Sequence, residues 1–171
     1  RFAVPPRDLD YGQNVQLPWR LQSHISGGGY FYDLAPHQLD LLQNYFGVIV
    51  RAHGYTANRA GLYNLEDTVN AVFRFENGLT GSGAWCFAAH ESAREDRIEI
   101  FGSKGRLSFS VYTYAPIRLC TSEGGKNIEV DNQLPIIKSV IEDMQGYGVC
   151  DCTSVSATPT NWVMDRILGK I

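Results

Sequence analysis

Asp33, His37, Asp40 and Asn44 carry the clearest chemical signal in the sequence. At 3.6 residues per turn these four polar residues share one narrow helical stripe, with Leu34, Leu41, Leu42, Tyr45 and Phe46 opposite. An Asp–His pair at i, i+4 lets a carboxylate orient an imidazole and stabilise its protonated form, which a proton relay near neutral pH needs. A structural use of the same residues is equally open. Asp33 can cap a helix that starts close to Pro36, Asp40 can pair with an exposed cation, and His37 can simply be solvated. His37 and Asp40 at i, i+3, with Asp33, would also make ligands for a divalent ion, a set that His24, His53 or His90 could complete. No H-E-x-x-H or Cys-x-x-Cys accompanies them, and Cys150-Asp-Cys152 has no second Cys or His pair near it in sequence.

These residues need an element to hold them. Ser26-Gly27-Gly28-Gly29 breaks the chain before an amphipathic stretch from Tyr30 to Phe46, and Gly47 supplies the expected helix stop. Upstream, Asn14-Val15-Gln16-Leu17 alternates and reads as an incoming strand, followed by a loop at Pro18-Trp19-Arg20. Val48 to Thr56 reads as a strand, and Thr68 to Phe75 alternates with a period of two. Asn77-Gly78 then signals a hairpin with a two-residue loop, pairing Glu76 with Leu79, Phe73 with Ser82 and Val72 with Gly83. In that register Val69, Ala71, Phe73 and Phe75 share a face with Thr80, Ser82, Ala84 and Cys86. Val72, Leu79, Trp85 and Phe87 share the other, which becomes the candidate assembly face.

Further strands are expected around Arg97–Ile100, Leu107–Val111, Ile117–Cys120 and Asn127–Val130, with turns at 102–105 and 123–126. Helical patterns follow at Ile136–Gln145 and Thr158–Leu168, the second with Thr158 as N-cap and Pro159 at its first position. Strands in a run with helices at both ends, and no βαβ alternation, predict an α+β fold: a predominantly antiparallel open sheet with helices packed on one face.

The whole chain sets outer limits. Its 171 residues favour one domain over 1–171, and a formal charge of −3 excludes a strongly basic nucleic-acid footprint. No run approaches the ~18 apolar residues of a membrane-spanning helix. Four cysteines in a chain of this size suit reduced thiols in the cytoplasm better than a disulfide framework. Arg1 as first residue suggests a processed chain or a piece of a longer one. Gly27-Gly-Gly29 opens no βαβ unit, Gly102–Gly105 lacks P-loop spacing, and no G-x-S-x-G elbow occurs.

Trp19-Arg20, Gly27-Gly28-Gly29 and Asp33-x-x-x-His37-x-x-Asp40, in this order, resemble the second domain of the glucose-fructose oxidoreductase, inositol dehydrogenase and rhizopine-catabolism (Gfo/Idh/MocA) family. Glu66-Asp67-Thr68, the hairpin, Ile100 to Leu107 and Thr160-Asn-Trp162-Val-Met-Asp165 agree with it. The resemblance implies the C-terminal substrate-binding and oligomerising domain of an NAD- or NADP-dependent oxidoreductase acting on a secondary hydroxyl of a sugar or polyol. It implies an N-terminal Rossmann domain, absent from this chain, that binds the cofactor and supplies a lysine, so the fragment alone is expected to be inactive. It implies His37 as proton donor and acceptor, Asp33 beside it as a polarising catalytic group, and Trp19 and Arg20 in the loop leading to the substrate. Ala35-Pro36 departs from the family's usual Asp-x-Gly-x-His. The resemblance also implies a homo-oligomer formed through the sheet face; charge and hydropathy predict no nucleic-acid or membrane partner, and the motif spacing no metal. Two other classes stand beside it: a non-catalytic binding or assembly module, and a metal-dependent sugar enzyme.

Overall fold

A computed structural model describes residues 1–7, 16–113, 115–130, 136–150 and 152–171. In chain order these form β1 (Phe2–Ala3), α1 (Ser23–Ser26), α2 (Tyr30–Phe46), β2 (Ile49–Ala57), β3 (Thr68–Phe75), β4 (Thr80–Cys86), β5 (Glu95–Asp96), β6 (Ile98–Gly102), β7 (Gly105–Phe109), β8 (Ile117–Thr121), β9 (Gly124–Ile128), α3 (Ile136–Met144) and α4 (Ser154–Ile167). Short 3-10 turns lie at Trp19–Leu21 and Glu91–Ala93. The chain divides into two compact units, Arg1–Arg97 with Pro159–Ile171, and Ile98–Thr158.

The fold is α+β. The first unit holds a five-stranded sheet in the order β2-β3-β4-β1-β5, the second an antiparallel four-stranded sheet in the order β6-β7-β8-β9. The strands therefore form two sheets, and one pairing is parallel: β1 runs alongside β4, with Phe2 opposite Trp85. Of the expected incoming strand, Asn14 and Val15 lie outside the described residues, and Gln16 and Leu17 are not in a strand. The first strand is Phe2–Ala3.

The hairpin register differs from the sequence expectation by one residue. Phe73 pairs with Gly81, Val72 with Ser82 and Arg74 with Thr80. Gly78 donates its N–H to the Phe75 carbonyl at 3.0 Å, and Phe75 donates to the Leu79 carbonyl at 2.9 Å. The connection is thus a three-residue loop with Gly78 at φ +89°, the form in which a turn is followed by a left-handed glycine. The Asn77 side chain fixes it, accepting from Leu79 N at 3.0 Å and donating to the Phe46 carbonyl at 2.9 Å.

Because side chains alternate along a strand, a slip of one residue sends all of β4 to the opposite face. Trp85 therefore points into the core with Val69, Ala71, Phe73 and Phe75, and Phe87 is buried beside them. The sequence had set both aromatics on the assembly face. Trp85 stands edge-on to Phe31 with ring centroids 5.1 Å apart and donates Nε1–H to Gln38 Oε1 at 2.5 Å. Gly81 and Gly83 have no room for a side chain: a Cβ at Gly81 would meet the Phe73 ring at 2.3 Å, and one at Gly83 the Trp85 ring at 2.1 Å. The aromatic rings lie across the glycines and use the space they leave.

α2 lays Phe31, Ala35, Gln38 and Leu39 into this core, and Val163, Met164 and Ile167 of α4 complete it. Two helix boundaries depart from expectation. α2 starts at Tyr30 after Gly29, so Asp33 lies in the first turn and does not cap. Pro36 sits inside the helix, where it forgoes one backbone hydrogen bond. Tyr45, expected on the apolar face, is exposed. α4 begins at Ser154, four residues before Thr158, leaving Pro159 in its interior. A reciprocal cap explains the earlier start: Ser156 N–H donates to Thr153 Oγ1 at 3.1 Å, and Thr153 N–H to Ser156 Oγ at 2.9 Å.

Candidate functional site

α2 presents the polar stripe. His37, Asp40 and Asn44 are exposed and Asp33 is half-buried. Asp33 Oδ2 accepts from Arg20 Nε at 2.6 Å, a short charge-assisted bond. The Arg20 guanidinium in turn lies 4.5 Å from the Trp19 ring centroid, a cation–π contact with an aromatic that is itself half-exposed. Trp19, Arg20 and Asp33 are thus joined into one unit. His37 stands one helical turn along the same stripe, the spacing at which side chains are neighbours.

Asp40 serves α2 structurally. It accepts from Thr160 Oγ1 at 3.2 Å, while Gln43 Nε2 donates to that hydroxyl at 2.9 Å and Gln43 Oε1 accepts from Ile49 N at 3.0 Å. This chain ties α2 to α4 and to the start of β2.

The glycine turn ahead of α2 is held just as closely. Gly27 closes α1 in the left-handed region, and its carbonyl accepts from Lys170 Nζ at 2.7 Å. Ser26 Oγ lies within hydrogen-bonding reach of the carbonyls of Arg20 at 3.0 Å, Gln22 at 3.2 Å and Gly28. A Cβ at Gly28 would meet the Tyr32 ring at 2.0 Å. Tyr32 donates its hydroxyl to Asp165 Oδ1, and Lys170 Nζ lies 4.2 Å from the Tyr32 ring centroid. The Tyr32 phenol is pushed well above its ordinary value, first by burial, then by this hydrogen bond and by the charges of Asp165 and Glu66.

Asp67 is a second polar anchor, one whose role the sequence pattern does not reveal. It is almost fully buried and accepts from Ala60 N at 2.7 Å, Arg59 N at 2.9 Å and Thr68 Oγ1 at 2.8 Å. Burial, the largest influence, pushes its carboxyl up. The Ala60 and Arg59 amides, the Thr68 hydroxyl and the Arg59 charge together outweigh burial and hold it below the usual carboxylate value. Its position at the end of the 58–66 connection, immediately before β3, was the available signal, since a carboxylate there can gather loop amides.

The other histidines lie on other elements. His24 is in α1, His53 is on the exposed face of β2, and His90 accepts from Ser92 N at 3.2 Å. Among the described residues no group of three or more His, Cys, Asp or Glu could hold a metal ion. All four cysteines are free thiols; Cys150 is buried and Cys152 exposed. Among the described residues no helix is long and apolar enough to cross a membrane.

Residues 6–108 match the GFO/IDH/MocA C-terminal domain. The chain belongs to this family, as the glycine turn and the Asp33–His37 spacing had suggested. It is 32% identical over 171 residues to Oxidoreductase P35 of Formosa agariphila, covering 95% of this chain and 50% of that protein. In fold it resembles levoglucosan dehydrogenase in complex with NADH and levoglucosan, with TM-score 0.79 and 18% identity over 98% of this chain and 54% of that one. It also resembles an NAD-binding oxidoreductase from Klebsiella pneumoniae, with TM-score 0.77 and 15% identity over 98% of this chain and 55% of that one. The chain spans about half the length of each of these relatives.

Proposed function

We propose that this chain is the substrate-binding half of an NAD- or NADP-dependent oxidoreductase acting on a secondary hydroxyl of a sugar or polyol. The observation that carries the reading is the exposed His37 one turn from Asp33, with Asp33 held by Arg20 and Arg20 stacked on Trp19. In this reading His37 takes the hydroxyl proton as the alcohol is oxidised and returns it in the reverse direction. Asp33 and Arg20 form a fixed pair of opposite charges beside it, suited to orienting vicinal hydroxyls. The half-exposed indole of Trp19 offers an apolar face to the C–H side of a sugar ring.

The sequence has no Gly-x-Gly-x-x-Gly, and the described strands form no βαβ unit. These residues do not fit a dinucleotide, so no hydride step is assigned to them. The nicotinamide, carried in this reading by an N-terminal Rossmann half, supplies the redox chemistry. Levoglucosan dehydrogenase, similar in fold, has been captured with levoglucosan and with L-sorbose, which supports a carbohydrate as the substrate class. Assembly into a homo-oligomer belongs to the same proposal. The outer face of the five-stranded sheet, with Val50, Tyr55 and Val72 exposed, is the surface assigned to it. Four free thiols fit a cytoplasmic setting.

The test is cofactor reduction at 340 nm by the intact enzyme against a panel of sugars and polyols, with deoxy analogues as controls. Turnover that requires one secondary hydroxyl supports the reading. Binding of a sugar without turnover on either cofactor would transfer the chain to the non-catalytic binding class.

A further inference from the structure

Tyr32, Asp165 and Lys170 are used by none of the chemistry above, yet they converge on the segment that sets the site's geometry. α2 begins with no side-chain cap at Gly29, so its first turn depends on outside contacts for its placement. Those contacts come from the far end of the sequence. Asp165 holds the Tyr32 hydroxyl from α4, and Lys170, just beyond α4, holds the Gly27 carbonyl while its ammonium faces the Tyr32 ring.

The glycine turn connects onward. Ser26 reaches both the Gly28 and the Arg20 carbonyls, linking the turn to the loop that carries Trp19 and Arg20. Asp33 follows Tyr32 directly. The latch therefore touches both ends of the Arg20–Asp33 pair, one through Ser26 and one through the helix.

We infer that Tyr32, Asp165 and Lys170 form a latch that holds the glycine turn and the start of α2 in register, and so sets the Arg20–Asp33 contact. These are positioning residues, because their contacts are with the Gly27 carbonyl and with one another. That this contact belongs to a substrate site rests on the proposed function; that the latch sets it does not.

The experiment is hydrogen exchange by NMR on the whole chain, reading the Arg20 Nε–H held by Asp33. Lys170→Met, at an exposed position, should speed exchange of that proton about tenfold, the effect of weakening one charge-assisted hydrogen bond. Lys170→Arg, which can still reach a carbonyl and face an aromatic ring, should restore most of the protection. Tyr32→Phe should speed it as well, through loss of the Asp165 bond. The Trp85 Nε1–H, bonded to Gln38 in the core, should keep its exchange rate in all three and so report an intact fold. Arg20 exchange within twofold of the parent in Lys170→Met, with Trp85 unchanged, overturns the latch. A failed turnover assay would overturn the function and leave this result untouched.

Discussion

Replacing Trp85 with phenylalanine separates the two hairpin registers by their energies. In the observed register the indole packs on Phe31 and satisfies Gln38 Oε1 inside the core. The change removes about 50 Å² of buried aromatic surface, worth about 1.3 kcal/mol at about 25 cal/mol per Å². It also leaves a buried amide oxygen without its donor, costing a further ~1–2 kcal/mol. The sum is about 3 kcal/mol, which lowers Tm by about 6–12 °C in a domain of this size. Thermal melts followed by circular dichroism read it directly. Gln38→Leu in a double-mutant cycle with Trp85→Phe should return a coupling of about 1 kcal/mol. A loss under ~0.5 kcal/mol, as expected of a surface residue, would mean that Trp85 does face outward and that the register reasoning is wrong.

The other expectations rest on separate features. Asp67→Asn keeps the shape but removes the charge that gathers the Arg59 and Ala60 amides, and should cost about 2 kcal/mol at pH 7 in urea melts. Since the folded Asp67 value is depressed, that contribution is full above the unfolded value of about 3.9 and is lost as pH falls through the folded one, so the gap should close in acid. Tyr32 is raised, so its contribution is full below about pH 10 and is lost as pH rises towards its folded value. Tyr32→Phe should therefore flatten the alkaline limb of the stability curve, and an unchanged limb would assign that limb to other groups. Val72→Asp on the outer sheet face should reduce the mass seen by light scattering while leaving the melt close to the parent, whereas unchanged mass would move assembly elsewhere.

Much of the fold was readable because its signals are local. Alternation in Thr68–Phe75, the glycine stop after Phe46 and the turn at 102–105 each fix their element without distant partners. The failures lie where the deciding contact is remote. Thr80-Gly-Ser-Gly-Ala84 is small on both faces, so its pattern does not favour either register. The choice is made by the Phe73 and Trp85 rings lying over Gly81 and Gly83, and by Asn77 reaching the end of α2. The start of α4 was placed too late because Pro159 looked like a first-turn residue, while the Thr153–Ser156 cap acted one turn earlier. At the candidate site, the stripe on α2 followed from helical spacing alone. The pairing of Arg20 with Asp33 joins residues thirteen apart, and the Tyr32–Asp165 bond joins residues 133 apart, so neither was visible in local pattern.

The measurement that bears most directly on the account is the rate and pH profile of the intact enzyme with His37→Asn. If His37 carries the hydroxyl proton, kcat should fall by about 10²-fold or more, and the pH dependence of the rate should change. A variant with the parent's kcat and an unchanged profile would contradict the assignment and leave the α2 stripe with a structural role alone.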